Sequence, residues 1–248
     1  LIVCSITGFG QTGPYAHRAG YDFIVQAMSG FMSLTGEPDG PPQKAGIAYA
    51  DIFTGMYATV GILAALRRRD ATGAGAHVDM ALLDSQVAVL ANQAANYLAS
   101  GVAPKRMGNA HVNVVPYQLF ATADGQLVVA VGNDSQYRKL CAILGAPEWA
   151  EDPRFVTNAA RLANRTALIP LLAARIATWD AQPLSLALEA EGVPAGPIND
   201  LAAVFADPQV MARGMRIRPD GAFIDGVASP IVIDGERMVA ATGAPPLP

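Results

Sequence analysis

Apolar residues gather along this chain in short runs and in helical stripes. Residues 1–6 (LIVCSI) are mostly apolar and stop at a glycine-rich turn, GFGQTGP at 8–14. That pattern predicts a strand covered on both faces, as in parallel α/β sheets. Residues 21–32 carry helical spacing. The clearest helix is 52–66, with Ile52, Met56, Val60, Leu63 and Leu66 along one side and Arg67, Arg68 and Arg69 closing it. TGAG at 72–75 turns the chain into a short strand near 77–82, and a second long helix, 85–98, follows Asp84.

From Pro104 the texture changes. Loop residues lead to a hairpin, with strands at 117–121 and 127–131 around the turn Asp124-Gly125. Helices are predicted at 136–144, 161–178 and 184–191, then a short extended piece at 194–198 and a helix from Leu201. The tail from Met215 alternates and carries Gly and Pro, so it reads as β. The change of texture puts a domain boundary near 100–112. The chain begins without Met and ends on GAPPLP with no capping element, which gives it the character of a segment of something longer.

Composition narrows the classes. The chain has 248 residues, 52% hydrophobic and only 15% charged, so most of it is packed interior rather than disordered. The net charge is −4 and no basic cluster extends past the three arginines, which argues against nucleic-acid and anionic-membrane partners. No uninterrupted apolar run reaches about 18 residues, so no membrane span is expected. Residues 1–6 lack the basic region and cleavage site of a signal peptide. Cys4 and Cys141 have neither zinc nor disulfide spacing, and two free thiols fit a reducing, cytoplasmic compartment.

The usual catalytic signatures are missing: no Walker lysine, no dinucleotide fingerprint, no nucleophile elbow. His17, His77 and His111 lie far apart, so no metal site is expected. Carboxylates remain. Asp51 lies in the uncharged stretch AYADIFTG at 48–55, directly before the strongest helix. It reads first as a helix N-cap, and second as a reactive carboxylate that desolvation activates and the helix dipole keeps ionised. Asp84, before Ser85, is a second N-cap candidate. Composition does not choose between these roles.

A resemblance does. CSITGFGQTGP (4–14), RAGYD (18–22), DIFTGMYATVGILAAL (51–66), TGAGAHVDMALLDS (72–85), GNAH (108–111), the pair Pro116-Tyr117, GVPAGPI (192–198) and DPQVMARGM (207–215) resemble, in order and spacing, the family III CoA-transferases of the CaiB/BaiF type. The resemblance implies an α/β fold: a Rossmann-like large domain, incomplete in this chain, and a smaller α+β domain. Residues 1–103 would belong to the large domain and a linker helix, 104–212 to the small domain, and 213–248 to a return segment. It implies two interlocked subunits.

It also implies an activity, with acyl-CoA and carboxylic acids as substrates and no permanently bound cofactor. In the family, the Asp of the D-x-x-T-G block, here Asp51, attacks the thioester and becomes an aspartyl-CoA thioester through a mixed anhydride. The block RAGYD implies CoA-binding residues at Ala19, Gly20, Tyr21 and Asp22. A glycine-run lid is not matched, since only Gly108-Asn109 stands in the comparable region. A related racemase pattern has His-Asp where this chain has Tyr21-Asp22, which removes the second base of a two-base proton transfer. A non-catalytic acyl-CoA-binding fragment is the remaining alternative. Stretches such as QTGP (11–14), SQVA (85–88), ANYL (95–98) and VPYQ (115–118) resemble the succinate–hydroxymethylglutarate CoA-transferase branch. That branch implies succinyl-CoA or a similar donor and a short dicarboxylic acceptor. Arg106, with His111, is the candidate receiver for the free carboxylate, and a mitochondrial matrix location is implied if the source is eukaryotic.

Overall fold

The computed structural model describes residues 1–243; the end of the expected return segment and tail, 244–248, lies outside the described residues. The chain divides into two compact units between Gln118 and Leu119. Helices and a parallel strand pair in the first unit, and a small sheet with helices in the second, give the α/β class.

In the first unit β1 (Ile2–Thr7) is followed by α1 (Asp22–Met28), α2 (Phe31–Leu34) and α3 (Tyr49–Thr72), then β2 (Ala76–Ala81), α4 (Leu82–Ala88) and α5 (Ala91–Ser100). β1 and β2 run parallel, with Ile2 opposite Ala76 and Thr7 opposite Ala81. The helix predicted over 21–32 is two helices, because Gly30 takes φ 90 and stops the first. The helix predicted over 85–98 is also two. It starts earlier, directly after β2, and breaks at Ala91, which adopts φ 46. Asp84 is therefore not an N-cap: the cap is Ala81, and Asp84 lies in the first turn of α4.

α3 is 24 residues long and runs past the arginines to Gly73, whose φ of 75 and N–H bond to the Arg69 carbonyl close it. It packs on β1, β2 and α4. The face it buries is not the expected one. Ala50, Thr54, Ala58 and Ala65 are buried, and a Cβ on Gly61 would sit 3.0 Å from Val78 Cγ1. Meanwhile Ile52, Met56, Val60 and Leu63 are 51%, 58%, 61% and 60% exposed. The small residues let the helix approach the strands closely, and the large apolar ones point away. By length and composition alone α3 is the one helix among the described residues that passes for a membrane span, a test that helices packed within a fold also pass.

The second unit starts inside β3 (Tyr117–Ala121), which neighbours β4 (Gln126–Ala130). Then come α6 (Asp134–Ile143), a 3-10 turn at Pro147–Ala150, α7 (Asn158–Ala163), α8 (Arg165–Ile176) and α9 (Ala181–Ala190). β5 (Ala195–Pro197) pairs antiparallel with β4, Val128 opposite Gly196. α10 (Leu201–Ala206) and α11 (Pro208–Ala212) follow. Leu127, Val129, Leu140, Leu168, Leu172, Ile176, Leu184 and Leu188 are fully buried. So is Arg161, which pairs with Asp134 at 2.7 Å, donates to the Phe155 carbonyl and lies over the Tyr137 ring. Hydrogen bonds and a counter-ion offset the cost of burying that charge. The tail is β as expected, in two-residue pairs: β6 (Arg216–Ile217) with β7 (Gly226–Val227), and β8 (Val232–Ile233) with β9 (Glu236–Arg237).

Candidate active site

The site is built at the carboxyl end of the parallel strands, where α/β folds place their ligands. The chain leaves β1 into the glycine-rich loop, and Gly8 meets Gly20 there. A Cβ on either glycine would lie 2.5 Å from the Cα of the other, so only glycine fits at both. The loop is pinned on each side. Gly10 N–H donates to Thr7 Oγ1 at 2.8 Å, Gln11 N–H to Asp79 Oδ2 at 3.0 Å, and Leu83 N–H to the Gly8 carbonyl at 3.1 Å. Arg18 stacks 4.6 Å from the Tyr15 ring and 5.3 Å from Phe9.

From this crossing the four residues Ala19, Gly20, Tyr21 and Asp22 run into α1. Ala19 and Tyr21 are exposed, Tyr21 is the N-cap position of α1, and Asp22 is half-buried at its first residue. Asp22 faces the start of α3. Its Oδ1 accepts from the Ala50 N–H at 2.8 Å, across 28 residues of sequence, and its Oδ2 accepts from Gln26 Nε2 at 2.6 Å.

Asp51 is thereby relieved of the capping role. The N-cap of α3 is Ala48, whose carbonyl accepts from Ile52 N–H, and Asp51 is the third helical residue. An alanine cannot cap, and Asp22 supplies the carboxylate from another helix instead. Among the described residues the Asp51 carboxylate has no hydrogen-bond partner, and it stands exposed in the first turn. Partial desolvation and then the Asp22 charge raise its pKa above the ordinary carboxylate value. Tyr49 stacks between Phe31 at 5.2 Å and Phe53 at 4.6 Å, an aromatic cluster at the same helix end. The Thr54 hydroxyl of the D-x-x-T-G block donates back to the Ala50 carbonyl at 2.7 Å, so it belongs to the helix and not to an open surface.

The other candidates lie elsewhere in the first unit. Arg106 donates to the Glu37 carbonyl at 3.2 Å and the Gly40 carbonyl at 2.7 Å, holding the loop before α3. Gly108 docks on the same loop through the Gly36 carbonyl. His111 accepts from the Asn113 N–H and tilts against Tyr117. Among the described residues no cluster of three or more His, Cys, Asp or Glu could hold a metal. A groove of about 460 Å³ beside Leu201, Phe205, Arg216 and Asp225 contains none of the candidate residues. The sequence reading missed Gln26 and the capping by Asp22; the only local signal was their i, i+4 spacing on α1.

Residues 1–247 match the family model described as CoA-transferase family III, and the chain belongs to that family. It is 56% identical over 236 residues to a succinate–glutarate CoA-transferase of Agrobacterium fabrum, covering 94% of this chain and 59% of that protein. It is 47% identical over 215 residues to a mouse succinyl-CoA:glutarate CoA-transferase, covering 87% of this chain and 49% of the relative. The chain thus spans 49% to 59% of the length of these relatives. The crystal structure of a CAIB/BAIF family protein from Brucella suis superposes with TM-score 0.83 at 55% identity, over 100% of this chain and 65% of that one.

Proposed function

We propose that the protein of which this chain forms part transfers CoA from succinyl-CoA, or a similar acyl-CoA, to a short dicarboxylic acid, with Asp51 as nucleophile. The observation that carries this is the Asp51 carboxylate itself: exposed, without a partner among the described residues, and on a helix whose start Asp22 already caps. A carboxylate used only for capping would hold the amide that Asp22 holds. The names of the similar enzymes support the dicarboxylate class, and the absence of an imidazole at Tyr21 counts against the racemase alternative.

In the proposed cycle one Asp51 oxygen attacks the acyl-CoA carbonyl and CoA thiolate leaves, giving a mixed anhydride. The thiolate attacks the aspartyl carbonyl, the donor acid departs as its carboxylate, and an aspartyl-CoA thioester remains. The acceptor carboxylate runs the same steps in reverse. The raised basicity of Asp51 strengthens it as a nucleophile, and the first-turn amides suit the developing negative charge. Ala19, Gly20, Tyr21 and Asp22 would lie against CoA, Asp22 with both carboxylate oxygens already engaged by Ala50 and Gln26. Arg106 is a weaker candidate for the acceptor's free carboxylate, because two of its donors already hold main-chain carbonyls. The proposal includes the three-part organisation 1–103, 104–212 and 213–248, an interlocked homodimer and a cytoplasmic or mitochondrial-matrix setting.

The test uses the full-length protein and succinyl-CoA. Wild type should form a hydroxylamine-sensitive CoA adduct on Asp51 and pass CoA to glutarate in preference to formate. Asp51→Ala should lose the adduct and at least about a thousandfold in turnover. Substantial turnover by the alanine variant would overturn the nucleophile, and a preference for formate would overturn the substrate class.

A further inference from the structure

We propose that the buried Gln26 carboxamide is a positioning residue for the Asp22–Asp51 pair, one that keeps Asp22 in register with the start of α3; the proposal rests on Asp51 being the nucleophile. Gln26 is fully buried in α1, where an aliphatic side chain would pack without any polar atoms to satisfy. Its amide is nevertheless engaged at both ends. Nε2 donates to Asp22 Oδ2 at 2.6 Å and reaches the Ile47 carbonyl at 3.5 Å, while Oε1 accepts from the Ala45 N–H at 2.8 Å. One side chain therefore ties α1 to the segment entering α3 and also to the carboxylate that caps α3.

The arrangement has a mechanical consequence. Asp22 holds the Ala50 N–H through its other oxygen, and Ala50 is the residue before Asp51. With Gln26 in place, both Asp22 oxygens are held, and the carboxylate cannot rotate off the helix start. Without it, one oxygen is released, the loop at 45–47 loses its anchor to α1, and the first turn that carries Asp51 gains freedom. Nucleophilic attack depends on geometry at that scale, where a shift of about 1 Å costs on the order of a hundredfold in rate. Val25 and Leu82 pack beside Ala50 in the same core cluster, so the polar clamp sits within an apolar surround that strengthens it.

The experiment compares wild type with Gln26→Met and Gln26→Glu in the full-length protein. The Met variant removes both ends of the clamp at similar volume. The Glu variant keeps an acceptor for the Ala45 amide but removes the donor facing Asp22. Two quantities are read for each: hydrogen exchange at the Ala50 amide, and the maximal single-turnover rate of adduct formation per titrated site, with KM for acyl-CoA. Both variants should lose protection at Ala50 and about tenfold or more in maximal rate, with KM within about twofold. Unchanged Ala50 exchange would overturn the proposal, whatever Asp51 does. So would a wild-type rate per titrated site in a merely less stable variant, or a loss confined to KM. A wild type that forms no adduct at Asp51 would instead overturn the nucleophile and the proposal with it, a failure visible before any variant is made.

Discussion

Two carboxylates share the start of one helix, and their roles divide by what each touches. Asp22 accepts from the Ala50 amide and from Gln26, while Asp51 keeps its oxygens for solvent or substrate. Desolvation, with the Asp22 charge second, raises the Asp51 pKa, so its ionised form, the form the proposed nucleophile needs, is lost as pH falls through that raised value. Asp22→Asn removes the like charge but leaves an oxygen for the Ala50 amide. The acid limb of adduct formation in Asp22→Asn should therefore move to lower pH, with a slower plateau because the Asp51 carboxylate is less basic and because the Asn amide nitrogen can no longer accept from Gln26 Nε2. A pH profile of single-turnover labelling measures both, and a limb moving to higher pH would contradict the assignment of Asp22 as a charged neighbour.

Among the elements, the crossing of Gly8 and Gly20 has little tolerance. A Cβ on either meets backbone rather than a movable side chain, so Gly20→Ala should destabilise the first unit by about 3 kcal/mol, seen as a shifted denaturation midpoint. A variant melting like wild type would show that the crossing can open without cost. The parallel strands, α3 and the glycine loop were legible in the sequence because apolar runs and turn residues mark them. The breaks after α4 and α7 were not. Ala91 adopts φ 46 without a glycine or proline to announce it, and α7 gives way to α8 at Asn164 in the same unannounced way. The orientation of α3 was misread for a different reason. Periodicity finds a stripe but not its partner, and here Ala50, Thr54, Ala58 and Gly61 allow a close approach that larger residues would block. The D-x-x-T-G block singles out Asp51 as a candidate, but its release from capping was not legible, since that depends on a bond spanning 28 residues.

At the scale of the whole molecule, the outward stripe of α3 is large, apolar and contiguous, of the kind that marks an interaction surface. The chain of residues 1–248 alone should therefore self-associate, and Val60→Glu with Leu63→Lys should reduce that association; light scattering measures both, and a monodisperse monomer before mutation would contradict it. The pairing of β1 with β2 has a further consequence, in time rather than in space. Every residue of β1 finds its partner 74 positions later, from Ile2 with Ala76 to Thr7 with Ala81. At about 5–20 residues per second, a ribosome takes roughly 4–15 s to deliver the second strand. During that interval the edge of β1 that β2 will take waits for its partner, and those seconds are the time in which a chaperone at the exit tunnel could cover it.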